Sequence, residues 1–183
     1  MGLDRFMHSK KGSKKVDLGS IPNASLNIVG RNMLQNELLP NDWEQYGYTN
    51  PTVISVWFEK KEGQDVKVLI PSPAFGPKAA LLRSSLGSID IPVRLLDTQD
   101  ELLFELVRKN VYILTTNIAG LETRGTVGEL WSEHRKLAEQ VAGEVIQLQE
   151  KLTGRRLDRQ RLVTAMLEAF DGDPDHKCTV RSA

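Results

Sequence analysis

The chain has 183 residues, of which 40% are apolar and 26% are charged, with 24 basic side chains balancing 24 acidic ones. A chain of this length buries roughly two thirds of its unfolded surface, so it can form a core without disulfides, and disorder throughout is excluded. Zero net charge excludes a uniformly basic binding surface, because nucleic acids and anionic membranes attract an excess of Lys and Arg. One soluble globular domain with a small appendage is the expectation.

The cysteine content and the N-terminus indicate the compartment. Cys178 is the single cysteine, which excludes internal disulfides and favours a reducing environment. The first residues include Asp4 and Arg5 and have no apolar core of the kind that a secretory signal needs. The uncharged stretches are too short and too polar to span a bilayer. We therefore expect a cytoplasmic protein with no transmembrane segment.

Residues 1–20 are predicted to form a flexible basic arm, because they carry five basic and two acidic side chains and few apolar ones. Such an arm can contact the phosphates of nucleic acid or of an anionic membrane. The lysines that would make these contacts are Lys10, Lys11, Lys14 and Lys15. The alternative interpretation is a solubilising tail, which the absence of interleaved aromatic residues favours.

The first predicted elements are a helix and a hairpin. Residues 23–39 have apolar side chains at helical spacing and end before Pro40. Residues 53–58 and 66–70 are rich in β-branched and aromatic side chains and flank a polar turn that contains glycine, which predicts a β-hairpin. Residues 71–77 contain three prolines and are predicted to interrupt the strands.

The middle of the chain predicts alternating helices and strands. A short helix over residues 78–86 precedes an alternating strand over 89–95, in which Pro92 lacks an N–H and so indicates a sheet edge. A helix is predicted over 101–109, and the nearly continuous apolar run 111–116 is typical of a strand covered on both faces. Because two helical crossovers join parallel strands, the order β-β-α-β-α-β predicts a small mixed, mostly parallel sheet.

The chain changes character after residue 117. A glycine-containing linker over 118–125 precedes a predicted helix over 126–153, whose apolar residues recur at steps of three and four for nearly four heptads, as in a coiled coil. A second helix over 157–170 completes a C-terminal helical hairpin. The predicted organisation is a basic arm at 1–20, an α/β domain at 21–117, a helical hairpin suited to oligomerisation at 126–170 and a loose tail at 171–183.

Ligands of α/β proteins bind beyond the carboxyl ends of parallel strands, where loops converge and helix N-termini offer free N–H groups. Three predicted loops carry side chains that suit a phosphate or ribose. The candidates are Ser72, Gly76, Lys78, Asp97, Thr98, Thr116 and Asn117. The chain contains neither G-x-G-x-x-G nor G-x-x-x-x-G-K-[ST], so the alternative is a set of ordinary strand-to-helix turns with capping residues.

Metal-binding and nucleophilic motifs are weak. Residues 171–178 gather three carboxylates, an imidazole and a thiol, but Pro174 interrupts the calcium-loop pattern. Cys178 has no placed histidine partner, and G-x-S-x-G is absent from the sequence. We predict no metal ion and no cofactor, and the sequence favours a non-enzymatic protein over an enzyme.

The first functional hypothesis is therefore an interaction or scaffold protein that forms a homo-oligomer, or binds a protein partner, through the apolar seam of the C-terminal helices. The seam residues are Trp131, His134, Leu137, Val141, Val145 and Leu148. One alternative is a protein that binds a small molecule or a nucleotide phosphate at the strand ends, and this alternative includes an enzyme. The other alternative is binding of nucleic acid or an anionic membrane through the basic arm.

Overall fold

The computed structural model describes residues 50–60 and 63–178. The predicted basic arm and the predicted helix at 23–39 lie outside the described residues. The strands are β1 (Val53–Ile54), β2 (Phe58–Glu59), β3 (Lys67–Val68), β4 (Ser72–Phe75) and β5 (Val93–Leu95). The helices are α1 (Ala79–Gly87), α2 (Gln99–Thr123), α3 (Val127–Glu133), α4 (Arg135–Thr153) and α5 (Arg159–Asp171). The fold is mixed α/β, as predicted, with most of its helix toward the C-terminus.

The sheets are small, and the prediction of a mostly parallel sheet is wrong. A three-stranded sheet has the order β1-β4-β5, in which β1 pairs antiparallel and β5 pairs parallel with β4. A separate two-stranded sheet joins β2 and β3 antiparallel. The predicted hairpin is thus confined to β2 and β3, because β1 pairs with β4 instead. Within the sheet of the described residues β5 is an edge strand, as Pro92 predicts.

β4 occupies the proline-rich stretch that the sequence analysis predicts to interrupt the strands. The carbonyl of Pro73 accepts the N–H of Ser55 at 2.9 Å, but Pro73 has no N–H to return. On the other side of the strand, Ser72 donates to the carbonyl of Pro92 at 3.1 Å and Ala74 accepts from Leu96 at 2.9 Å. The proline therefore costs one hydrogen bond on the β1 side and leaves the parallel pairing with β5 intact.

α2 is much longer than predicted, and the strand predicted at 111–116 and the linker predicted at 118–125 are wrong. The helix starts at a capping box, in which Thr98 Oγ1 accepts the N–H of Glu101 while the Glu101 carboxylate accepts the N–H of Thr98. It then continues through residue 117 and ends at Arg124, which adopts a left-handed conformation with φ of 56°. Asn110, which follows the end of the helix predicted over 101–109, is buried and donates from Nδ2 to Gln149 Oε1 at 3.2 Å.

The structure has three helices where the sequence predicts a C-terminal hairpin of two. The stretch 126–153 divides at His134, whose φ of −123° and ψ of 29° end α3 and begin α4. α3 has its own capping box between Thr126 and Glu129, and α5 is capped by Asp158, which accepts the N–H of Arg161. Within the described ranges, no helix is both long and apolar enough to cross a membrane.

The hydrophobic core lies where α2 packs along α4 and α5. α2 and α4 run antiparallel, since Asn110 contacts Gln149 and Asp100 pairs with Arg155. Trp57 and Tyr112 extend this core toward the two-stranded sheet, with their rings edge to face at 5.2 Å between centroids. α2 also contacts β4, so the same helix packs against the sheet and against the other helices.

The segment after α5 returns along the start of α3, although the sequence analysis expects a loose tail. Val127 donates to the carbonyl of His176 at 2.8 Å, and Cys178 donates to the carbonyl of Gly125 at 2.9 Å. A Cβ added to Gly120 would lie 2.3 Å from the carbonyl oxygen of Cys178. Only a glycine lets the C-terminal segment lie this close to α2.

Candidate functional site

The loops after β4 and β5 lie at one edge of the sheet, because these strands are parallel neighbours. The N–H of Lys78 donates to Thr52 Oγ1 at 2.8 Å, just before α1. The N–H groups of Asp97 and Thr98 both donate to Glu101 Oε2, at 2.7 and 3.2 Å. Two of the backbone donors that a phosphate could use at the start of α2 are therefore taken by a carboxylate of the same helix.

The other predicted ligand residues lie elsewhere. Ser72 is buried and its Oγ accepts the N–H of Trp57 at 2.9 Å, which is a structural contact. Thr116 is a buried residue of α2 that donates to the carbonyl of Ile113 at 3.1 Å, and Asn117 follows it in the same helix. These two residues lie eighteen or more positions beyond Thr98, roughly 27 Å along the helix. The structure therefore places Gly76, Lys78, Asp97 and Thr98 in the two loops at one sheet edge, and separates Thr116 and Asn117 from them.

Most of the predicted interface seam packs within the chain. Val141 and Val145 are buried in the core, whereas Leu137 is partly buried and Leu148 is exposed. His134 is exposed at the junction of α3 and α4. The lysines of the basic arm, Lys10, Lys11, Lys14 and Lys15, lie outside the described residues.

Trp131 borders a cleft between α3 and α5. Its ring meets Phe170 edge to face at 6.4 Å, and the guanidinium of Arg135 lies 4.8 Å from the Trp131 ring centroid. The cleft has a volume of about 310 Å³, and Val127 and Leu167 also line it. Its walls are mainly apolar, and Ser132 and Asp171 stand at its rim.

A different residue, Lys109 in the middle of α2, has an unusual environment. Its side chain is partly buried, and its Nζ lies 5.2 Å from the centroid of the Trp57 ring. In the part of the chain that the structure describes, no carboxylate forms an ion pair with it. Burial lowers the pKa of Lys109 from 10.5 to about 8, because desolvation disfavours the ammonium form.

Trp57 is held firmly beside this lysine. It is buried, its N–H is bound by Ser72, and its carbonyl accepts the N–H of Leu69 at 2.9 Å. The indole Nε1 is buried and has no hydrogen-bond partner among the described residues. Because both backbone groups are fixed by neighbouring strands, the ring offers a rigid apolar face to the ammonium of Lys109.

Tyr112 lies one turn beyond Lys109 on α2. Its ring packs between Trp57 and Phe170, and its buried Oη has no hydrogen-bond partner within residues 50–60 and 63–178. Burial raises the pKa of the Tyr112 phenol, and the negative charge of Asp173 acts in the same direction. The phenol therefore stays protonated over the physiological pH range.

Asp173 connects this region to the two-stranded sheet. Its carboxylate is buried and lies 2.6 Å from Lys67 Nζ and 3.4 Å from His176 Nδ1. These contacts join β3 to the segment after α5. Among residues 50–60 and 63–178, the histidine, cysteine and acidic side chains form no group of three that could hold a metal ion.

Lys109 and Tyr112 are not among the site residues that the sequence predicts. Lys109 is the last residue of the helix predicted over 101–109, and Tyr112 lies in the strand predicted over 111–116. A usable signal exists, because Leu103, Val107, Val111 and Leu114 continue the helical spacing past Asn110. With the helix extended in this way, Lys109 becomes a cation in the middle of a helix that has apolar residues on both sides.

Comparisons with known proteins bear on the fold. The chain matches no protein-family description and no curated protein. It is similar to a solved structure of a dimeric ketopantoate reductase from Staphylococcus aureus that shows kinetic cooperativity, with a TM-score of 0.53 and 20% identity. The match covers 82% of this chain and 51% of that one, so the chain spans about half the length of the reductase. At this identity the likeness shows a shared α/β fold.

Proposed function

We propose that the chain binds a small anionic carbonyl compound, of the 2-oxo acid class, through the ammonium group of Lys109. The observation that carries this proposal is a partly buried cation without an ion pair in the described ranges. Burial of an unpaired charge costs free energy, and a carboxylate ligand would supply the missing partner.

The protonation state of Lys109 suits such a ligand. With a pKa of about 8, the amine is mostly an ammonium at pH 7 and still releases its proton readily. A group with a pKa near the working pH can donate a proton to a carbonyl oxygen on which negative charge develops. The Trp57 ring limits the access of water to the amine, which strengthens its interaction with an anion.

The solved structure supports the choice of ligand class. It is named as a ketopantoate reductase, and that name denotes an oxo acid as substrate. Reduction also needs a hydride donor, and the present sequence has no G-x-G-x-x-G fingerprint for a dinucleotide. The proposal is therefore limited to binding of the oxo acid and donation of a hydrogen bond or proton by Lys109.

Calorimetric titration with ketopantoate and with pyruvate tests this proposal. Lys109→Met removes the charge and keeps an unbranched side chain, and Lys136→Met makes the same change at an exposed position on α4. We expect about tenfold or greater loss of affinity for Lys109→Met, because a hydrogen bond to a charged group contributes about 1.5–3 kcal/mol. The Lys136→Met protein should bind like the wild type.

The pH dependence gives a second measurement. Binding should weaken as the pH rises through about 8, where the Lys109 amine loses its charge. The proposal would be refuted if neither oxo acid bound at millimolar concentration. It would also be refuted if the Lys109→Met and wild-type proteins bound with equal affinity.

A second candidate function is self-association through α2. Ile118 and Leu121 lie one turn apart on this helix and are 47% and 67% exposed, and the partly buried Leu114 lies one turn earlier on the same side. An exposed apolar stripe of this kind is typical of a helix that pairs with another helix. The similar reductase is dimeric, which agrees with a homo-oligomer.

Sedimentation velocity tests this second proposal. Ile118→Glu with Leu121→Glu should convert an oligomer to a monomer, because two charges would be buried in the interface. Leu148→Glu is the matched control, since Leu148 is an exposed leucine on α4. A wild-type monomer at tens of micromolar would exclude self-association. Dissociation by Leu148→Glu alone would place the interface on the seam of the C-terminal helices instead of on α2.

A further inference from the structure

The turn between α4 and α5 concentrates positive charge. Residues 151–161 carry five basic and one acidic side chain, whereas residues 122–150 carry three basic and six acidic ones. The five basic residues are all exposed and are Lys151, Arg155, Arg156, Arg159 and Arg161. We refer to them as the arginine turn. The helical part of the protein therefore has one strongly positive end, although the whole chain has no net charge.

The guanidinium groups of the arginine turn point in different directions. Arg155 pairs with Asp100 of α2 at 2.5 Å, and Arg161 lies over the ring of Phe104 at 3.9 Å. Arg159 extends the other way and lies against Gly143 of α4, where a Cβ would be 2.5 Å from its guanidinium. Because these groups are spread around the turn, a compact anion cannot contact all of them, whereas an extended chain of anions can.

The ion pairs within the turn are weak enough to be exchanged. Arg155 pairs with an exposed carboxylate of Asp100, and Arg156 is 97% exposed at 3.8 Å from Glu150. Exposed pairs of this kind contribute about 0–1 kcal/mol. In the described ranges, Lys151, Arg159 and Arg161 form no ion pair at all. Donors are therefore available to an incoming polyanion at little cost.

We infer that the arginine turn binds the phosphate backbone of a nucleic acid without reading its sequence. Four of the five cations are arginines, whose planar guanidinium groups bind phosphate oxygens in a bidentate manner. The aromatic ring beside them, Phe104, has Arg161 over one face and packs against the hydrophobic core, so it is poorly placed for stacking of a base. The arginine turn thus has the cations that backbone contacts need and lacks the platform that base recognition needs.

Fluorescence anisotropy of a labelled 20-nucleotide dT strand with the full chain tests this inference. We expect binding at 50 mM salt that weakens steeply toward 200 mM, with a slope of about −2 to −3 in log affinity against log salt for three to four phosphate contacts. Arg156→Glu with Arg161→Glu should lower the affinity about tenfold or more and flatten the slope. The neutral pair Arg156→Gln with Arg161→Gln should have an intermediate effect.

Two controls separate the arginine turn from general electrostatics. Arg83→Glu with Lys136→Glu makes the same change in net charge at exposed positions outside the turn and should leave the affinity within about twofold. Polyglutamate should compete poorly with the dT strand. Absence of binding at 50 mM salt, or full binding by the Arg156→Glu and Arg161→Glu protein, would overturn the inference. Equal competition by polyglutamate would also overturn it and would indicate an acidic protein surface as the partner.

Discussion

Arg108 and Lys109 are consecutive residues of α2, and both place a cation against the indole ring of Trp57, at 5.5 and 5.2 Å from its centroid. Their other contacts differ. Arg108 is buried and bonded to the carbonyl of Ala165 at 2.9 Å and to Glu168 at 3.0 Å, whereas Lys109 has no such partner in the described ranges. One cation therefore fastens α2 to α5, and the other is available to a ligand.

The available cation should reduce the stability of the free protein. We predict that Lys109→Met stabilises the ligand-free fold at pH 7 by about 1 kcal/mol or more, because methionine packs on Trp57 without a desolvation cost. The pKa of Lys109 is about 8 in the folded protein and 10.5 in the unfolded chain. Between these two pH values the unfolded chain binds more protons than the folded protein, so the wild type becomes more stable as the pH rises.

The advantage of Lys109→Met should therefore shrink across that pH range. Urea unfolding at pH 7 and pH 10 measures it. A Lys109→Met protein that is less stable than the wild type at pH 7 would contradict the assigned environment of this lysine.

Removal of Arg108, the cation that links α2 to α5, should lower the stability of the fold. Arg108→Ala should destabilise the fold by about 3–5 kcal/mol, because it leaves the buried carboxylate of Glu105 without one of its two cations and breaks the link to α5. Arg94→Ala removes the other cation of Glu105 from a half-exposed position and should cost about 1 kcal/mol. Urea unfolding of both proteins measures the difference. Equal losses would show that the link to α5 contributes little.

The close approach of Cys178 to α2 predicts the effect of a small substitution. Gly120→Ala should destabilise the protein, although alanine favours a helix by about 1 kcal/mol, because the new Cβ would overlap the backbone of Cys178. Gly87→Ala, at the end of α1, has no atom of the described part of the chain within 4 Å of its new Cβ and should be neutral or stabilising.

The reactivity of the thiol reports on the same contact. Burial raises the pKa of Cys178 to about 11, so the wild-type thiol should react slowly with a thiol reagent at pH 8. Gly120→Ala should accelerate this reaction. A thiol that stays unreactive in the Gly120→Ala protein would mean that α2 shifts and the C-terminal segment keeps its place.

The buried pair between α2 and α4 should show coupling. Asn110 and Gln149 are both buried and share one hydrogen bond of 3.2 Å. Asn110→Leu or Gln149→Leu alone should cost about 1–3 kcal/mol, because each removes the hydrogen bond that joins the two buried amides. The double variant should cost less than the sum of the single variants, which unfolding of all four proteins measures. Strict additivity would mean that the two amides do not interact in solution.

The sequence predicts elements well where local chemistry decides them. α1 agrees with its prediction to within one residue at each end, the region 97–100 contains the cap of α2, and β5 lies at a sheet edge in the described part. In each case a proline or a capping side chain fixes the backbone locally.

Prediction fails where tertiary packing decides the backbone. The run 111–116 contains β-branched residues and reads as a buried strand, but α4 and α5 bury it as a helix. The proline-rich stretch before α1 forms a strand because Pro73 needs to offer only its carbonyl to β1. Neither outcome can be derived from residues that are near each other in sequence.

The contrast between local chemistry and tertiary packing also explains which parts of the candidate sites the sequence predicts. Gly76 and Asp97 lie at one sheet edge because β4 and β5 are parallel neighbours, and of these two strands the sequence predicts only β5. The environment of Lys109 depends on Trp57, which lies fifty-two positions earlier, and on the helical state of the residues that follow it. Long-range contacts of this kind lower the pKa of Lys109, and no local sequence pattern predicts them.

The length of α2 has a consequence for the cooperativity of the whole molecule. One unbroken helix of 25 residues packs on β4 near its start and on α4 and α5 along its middle and end. Neither the sheet nor the C-terminal helices can retain their packing if this helix melts. Unfolding should therefore be a single two-state transition, and a fragment cut within α2 should fail to fold on either side of the cut.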